Sequence, residues 1–140
     1  LIRLTRSYRF SAAHVLARAD WSDERNREVY GKCANPAGHG HNYVLEVTLR
    51  GETDPQTGSL VRLAELDRVV REKILDRVDQ RFLNRELPEF QELVPTAENI
   101  ARFAWRALKG EISPAVLDRI RLVETSKNSV EVCADAEDET

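Results

Sequence analysis

The first ten residues alternate. Ile2, Leu4, Tyr8 and Phe10 fall on one side of an extended chain, and Arg3, Thr5, Ser7 and Arg9 fall on the other. This period of two marks a strand with one buried face. Residues 42–51 repeat it, with Tyr43, Leu45, Val47 and Leu49 set against Glu46, Thr48 and Arg50. Asp54-Pro55-Gln56-Thr57-Gly58 then ends the pattern with proline and glycine, the residues that punctuate turns. Over residues 63–78 the period changes: Leu63, Leu66, Val70 and Ile74 recur at helical spacing. A second helix is predicted after Pro95. Thr96 is its N-cap, Glu98 suits the positive end of the helix dipole, and Ile100, Phe103, Ala104, Ala107 and Leu108 form the buried stripe. Strands are predicted again over 119–125 and 130–133, joined by the polar turn Ser126-Lys127-Asn128-Ser129.

The predicted order is therefore ββααββ. Clustered helices between strand pairs imply an α+β fold, a four-stranded antiparallel sheet with both helices on one face. Such a sheet has two open edges, and joining the sheets of several chains into a ring or barrel would close them. The length of 140 residues fits one domain over 1–133, followed by a small acidic tail over 134–140. The formal net charge of −3, with no basic stripe, argues against nucleic acid as a partner. No apolar run reaches the length of a membrane span, and the start of the chain lacks the layout of a signal peptide. Cys33 and Cys133 read as free thiols of a cytoplasmic protein.

The three histidines carry the candidate chemistry. His14, His39 and His41 are the whole histidine complement of the chain. Strand parity puts His39 and His41 on the side of Tyr43 and Leu45, and His14 on the side of Tyr8 and Phe10 if no bulge intervenes. Two antiparallel strands would then gather three imidazoles on one sheet face, as metal ligands or as surface or core histidines with ordinary hydrogen bonds. Three neutral imidazoles leave the fourth tetrahedral position of Zn²⁺ open, as in catalytic rather than structural zinc sites. Cys33 stands six residues before His39, in a loop rich in glycine, proline and asparagine that can fold the thiol toward the metal. Three readings of Cys33 stay open at this point: a general base, a fourth zinc ligand, or a small buried residue. Glu124 shares parity with Ile120 and Leu122; either its carboxylate faces the apolar side and needs a partner there, or the strand end turns it to solvent.

Several stretches together resemble one family. They are Phe10-Ser11-Ala12-Ala13-His14, the segment Tyr30-Gly31-Lys32-Cys33-Ala34-Asn35-Pro36-Ala37-Gly38-His39-Gly40-His41-Asn42-Tyr43, residues 51–58, Pro95-Thr96-Ala97-Glu98-Asn99 and Val123-Glu124-Thr125. The chain closely resembles the 6-pyruvoyl-tetrahydropterin synthase family from about residue 8 to residue 132. The pairing of Ala-Ala-His with Cys-x₅-His-Gly-His is the specific part. The resemblance implies a tunnelling fold, in which sheets of several subunits join into a barrel, commonly a hexamer with pockets between subunits. It also implies lyase chemistry on 7,8-dihydroneopterin triphosphate with Zn²⁺ as Lewis acid. By this likeness His14, His39 and His41 are the zinc ligands and Cys33 is the base. Glu124 would anchor the pterin, whose amide N–H and amino group suit a carboxylate. Thr96 resembles a pterin-touching position, although its place as a helix cap accounts for it equally.

The chain departs from the family twice. Where relatives carry Leu-Asp-His-x-x-Leu-Asn, it reads Val78-Asp79-Gln80-Arg81-Phe82-Leu83-Asn84. Asp79 is kept as a catalytic candidate, but the relay histidine is replaced by Gln80, whose amide cannot exchange a proton near neutral pH. Arg62 stands where relatives have aspartate or asparagine before the first helix. The resemblance leaves three functions in view. They are a pyruvoyl-forming lyase, favoured by the five residues between Cys33 and His39; a 6-carboxy-tetrahydropterin synthase of the queuosine and deazapurine route, whose members more often have three; and a zinc-containing pterin-binding protein without turnover, favoured by Gln80.

Overall fold

The computed structural model describes residues 1–134. Two long strands form its centre: β1 (Ile2–His14) and β2 (His39–Gly51) pair antiparallel without a break, from Ile2 opposite Gly51 to His14 opposite His39. Between them the chain makes α1 (Asp23–Tyr30) and a 3₁₀ turn (Gly31–Ala34). After β2 come α2 (Leu63–Val70), a π-helical turn (Arg71–Leu75), α3 (Asp76–Val78), β3 (Arg81–Phe82) and α4 (Leu83–Glu86). A 3₁₀ turn at Pro88–Phe90, α5 (Ala97–Leu108), β4 (Val116–Thr125) and β5 (Asn128–Cys133) complete the order.

The sheet runs β3-β1-β2-β4-β5. Its inner face is apolar: Phe10, Tyr43, Leu45, Val47, Leu49, Ile120 and Leu122 are buried. The helices close over that face with Leu66, Val69, Val70 and Ile74, and with Ile100, Ala104 and Leu108 of α5. Each such aliphatic side chain taken out of water contributes about 1.5–3 kcal/mol, so leaving the face uncovered would cost more than the domain's net stability. This is the expected α+β arrangement, with both helices on one side of the sheet.

Three details correct the expectation. The sheet has a fifth strand, β3, which pairs parallel with β1 through Ala12 and Ala13. Gln80 creates it: its backbone turns through φ +61° and its N–H donates to the Ser11 carbonyl at 2.6 Å. Next, the helical stretch predicted over 63–78 is present but contains the π-helical turn, and Leu63 stays exposed at its first position. Finally, Ala134 belongs to the fold and not to a tail, since its N–H donates to the Asp118 carbonyl at 3.0 Å. The remainder of the expected acidic tail, 135–140, lies outside the described residues. No helix among the described residues is long and apolar enough to cross a membrane.

Arg62 also gains a physical account. It occupies the N-cap of α2 and makes no side-chain capping bond. An arginine has no acceptor to offer the free N–H groups of the first turn, whereas aspartate or asparagine does.

Candidate metal centre and active site

The unbroken β1–β2 pairing carries the histidine parity through to the end of the ladder. His14 closes β1 directly opposite His39, which opens β2, and His41 follows on the same face. The ligand nitrogens of the three lie within 4.8 Å of one another. His14 is fully buried; His39 and His41 are half-buried. The rings meet edge to face, with centroids 4.6 Å apart for His14–His39 and 4.9 Å for His39–His41.

His14 Nδ1 lies 2.8 Å from the Pro95 carbonyl oxygen. A carbonyl only accepts, so this nitrogen carries the proton and donates, leaving the Nε2 lone pair free. That Nε2 faces His39 Nε2 at 3.0 Å. His41 Nε2 is buried and has no hydrogen-bond partner among the described residues. Burial holds His14 below the ordinary imidazole value; the Pro95 bond opposes this in part, and the neighbouring imidazoles add to it. Burial and then His41 do the same to His39. Neutral imidazoles are the ligand form. A tetrahedral zinc with Zn–N of about 2.0–2.1 Å sets its donors roughly 3.3 Å apart; here one pair lies 3.0 Å apart and all three nitrogens within 4.8 Å. The donor set, the fixed tautomer and the orphaned nitrogen all fit a metal.

Cys33 sits half-buried in the 3₁₀ turn between α1 and β2. Its carbonyl accepts the Leu16 N–H at 2.8 Å, which ties the turn to the chain two residues past His14. The metal-competent cluster among the described residues comprises the histidines without Cys33. Glu124 is half-buried at a bulge in the β4–β5 ladder, between Val123 and Thr125. Its Oε1 accepts from Asn128 Nδ2 at 3.3 Å. Its charge acts on His14, His39 and the Tyr43 hydroxyl.

Thr96 is the N-cap of α5, as expected: its hydroxyl accepts the Asn99 N–H at 3.2 Å. It also follows Pro95, the residue that orients His14. Asp79 lies elsewhere. Exposed on the outer edge of β1, it accepts the Ser11 N–H at 3.0 Å, and no hydrogen bond links it to Cys33 or to a histidine within the chain. Gln80 beside it is likewise exposed.

Two contributors carried no direct sequence signal. The Pro95 carbonyl is backbone, and no residue type announces it. Tyr43 reads as one more apolar-face residue, although its hydroxyl is buried and has no hydrogen-bond partner among the described residues.

The sequence model of the 6-pyruvoyl tetrahydropterin synthase family matches residues 3–135. The 6-pyruvoyl tetrahydrobiopterin synthase of Poecilia reticulata is 43% identical over 127 residues, covering 91% of this chain and 86% of its own. The human enzyme of that name is 40% identical over 128 residues, covering 91% and 88%. Among solved structures, Caenorhabditis elegans 6-pyruvoyl tetrahydropterin synthase superposes with a TM-score of 0.90 at 41% identity, covering 96% of each chain. An uncharacterized Wolinella succinogenes protein shares the fold at 18% identity, with a TM-score of 0.71 and coverage of 96% and 98%. Taken with the histidine trio and the helix-covered sheet, these matches show that the chain belongs to the 6-pyruvoyl tetrahydropterin synthase family.

Proposed function

We propose that the protein is a zinc-dependent lyase that eliminates triphosphate from 7,8-dihydroneopterin triphosphate to give 6-pyruvoyl-tetrahydropterin. The carrying observation is the histidine trio, with donor nitrogens within 4.8 Å and the His14 tautomer set by Pro95, in a chain about 40% identical to synthases of that name. His14, through Nε2, His39 and His41 hold the metal. Zinc bound there supplies Lewis acidity for charge developing on the substrate's side-chain oxygens.

The remaining roles belong to the protein's own groups. Cys33 takes a carbon-bound proton from the side chain; its place outside the histidine cluster supports a base rather than a fourth ligand. Glu124 accepts from the pterin's N–H and amino edge, and Asn128 already orients one of its oxygens. Thr96 adds a weaker contact from the start of α5. Asp79 takes the proton-transfer role across a contact between chains, its carboxylate within its own chain being hydrogen-bonded to the Ser11 N–H. Assembly is supported by the sheet: beyond Ser11, which is bonded to Asp79 and Gln80, and Ala12 and Ala13, which pair with β3, the outer edge of β1 has no strand beside it among the described residues, and β5 closes the other side as an edge. A hexamer with its sheets joined into a barrel is the form this reading takes. Free Cys33 and Cys133 support a cytoplasmic setting.

One observation favours a second reading, a zinc-containing pterin-binding homologue without turnover: Gln80 stands where relatives have the relay histidine. Incubating the zinc-loaded protein with 7,8-dihydroneopterin triphosphate and identifying the products separates the readings. A pyruvoyl product supports the lyase. Acetaldehyde with 6-carboxy-tetrahydropterin supports the queuosine-type reaction, and tight pterin binding with no product supports the second reading.

A further inference from the structure

The β1–β2 ladder ends on the pair that has most to hold in place, His14 opposite His39. The end of an element frays when nothing braces it, and a frayed last pair would let the ligand nitrogens drift apart. The segment 79–84 braces it from the outer edge of β1. Ser11 is bonded there by the Asp79 carboxylate and the Gln80 N–H, Ala13 pairs with Phe82, and Val15 is taken by Asn84. Every second residue along this edge is thus engaged, up to the one that follows His14.

The Asn84 contact is made by a side chain. Its Oδ1 accepts the Val15 N–H at 2.8 Å, and its Nδ2 donates to the Val15 carbonyl at 2.9 Å. A primary amide offers a donor and an acceptor on one planar group, so it stands in for a peptide at the point where β3 has given way to α4. The next N–H along β1, that of Leu16, donates to the Cys33 carbonyl at 2.8 Å. The clamped residue therefore lies between a histidine of the metal centre and the tether of the cysteine turn. The facing strand is braced by the same segment: a Cβ at Gly38, beside His39, would meet the Phe82 ring at 2.9 Å. We propose that Asn84 is a positioning residue, which locks the His14–His39 end of the ladder and sets the Cys33 turn against it through Val15 and Leu16. The inference rests on the zinc lyase reading and deepens it, since misplacing a reacting group by about 1 Å can cost on the order of a hundredfold in rate.

The test sets Asn84→Asp, which turns a second acceptor on the Val15 carbonyl, and Asn84→Ser, which shortens the reach, beside Asp67→Asn, which loosens α2 by weakening its bond to Arg6. Tm, the zinc Kd by chelator competition, and kcat and KM on 7,8-dihydroneopterin triphosphate at saturating zinc are read for each. Both Asn84 variants should bind zinc about tenfold more weakly and show a kcat lowered about tenfold to a hundredfold, with KM near the parent's. Asp67→Asn should lower Tm and leave the zinc Kd and kcat in place. A parent-like zinc Kd and kcat in the Asn84 variants would overturn the assignment, and so would losses that track Tm equally in all three proteins. Amide hydrogen exchange in the parent tests the clamp with no substitution at all. The Val15 and Leu16 N–H groups should exchange as slowly as the middle of β1, and exchange as fast as in an exposed loop would overturn the assignment too. A parent that binds zinc but converts none of the compound would remove the lyase reading, while the zinc Kd and the amide exchange would still decide on the clamp. A parent that takes up no zinc would remove both.

Discussion

One face of β1 carries two polar clusters on either side of the Phe10–Tyr43 stack, and they are built differently. Toward the start of the strand, Arg6 makes a two-pronged bond to Asp67 of α2 at 2.7 and 2.9 Å, and the Tyr8 hydroxyl donates to the same carboxylate at 2.7 Å. Donors and acceptor there answer one another. Toward the end, His14 is fixed on one side by Pro95, while His41 Nε2 and the Tyr43 hydroxyl are buried without a hydrogen-bond partner among the described residues. Buried polar atoms are normally satisfied. The first cluster fastens a helix to a sheet and is complete by itself. The second leaves nitrogen and oxygen atoms unsatisfied among the described residues, as a site that takes a metal would.

Changes at the second cluster should therefore cost function, and changes at the first should cost stability. The largest effect is expected from Cys33→Ala, which should lower turnover by about 10²–10⁴-fold while zinc per chain stays as in the parent; parallel zinc loss by elemental analysis would move Cys33 into the ligand set. Gln80→His should raise turnover of the triphosphate, since it restores a group able to exchange protons. Equal steady-state rates would mean that the substitution does not limit this enzyme.

Asp67→Asn acts on the other cluster. Arg6, then Tyr8, hold the Asp67 carboxyl below its ordinary range. A carboxylate with a depressed folded value contributes stability above its unfolded value of about 3.9, and loses it as pH falls through the folded value. The variant should thus melt a few degrees lower at neutral pH, with the gap to the parent closing in strong acid and kcat nearly unchanged. A gap that persisted in acid would mean that the carboxylate's charge is not what fastens α2. The smallest change expected is a gain: Arg62→Asn should add about 0.5–1 kcal/mol in denaturant unfolding by capping α2, with no effect on turnover.

How much of each cluster was legible in the sequence follows from the same contrast. The histidines announced themselves because strand parity is strict and the β1–β2 ladder has no bulge to break it. The α5 stripe was legible for a similar reason: Ile100, Phe103, Ala104 and Leu108 keep the helical period and are buried. Arg6–Tyr8–Asp67 was hidden, because its partners are about sixty positions apart and meet only once α2 has docked. β3 was hidden as well, since two residues have no period and the pairing depends on the turn at Gln80. α1 carries only one residue buried, Asn26, so no apolar stripe marked it; its Ser22 cap, which accepts the Arg25 N–H, was the one readable sign. Asp79 could be read as a residue but not placed, because its distance from Cys33 is a property of the folded chain.

The account turns on whether the second cluster takes a metal. Zinc content per chain, measured after purification and again after loading and exhaustive dialysis, decides this with the parent beside His41→Ala. The account predicts close to one zinc per chain in the parent and a near-complete loss in the variant, with both remaining folded. A parent that holds no zinc and takes none up, or a variant that holds as much as the parent, would contradict it.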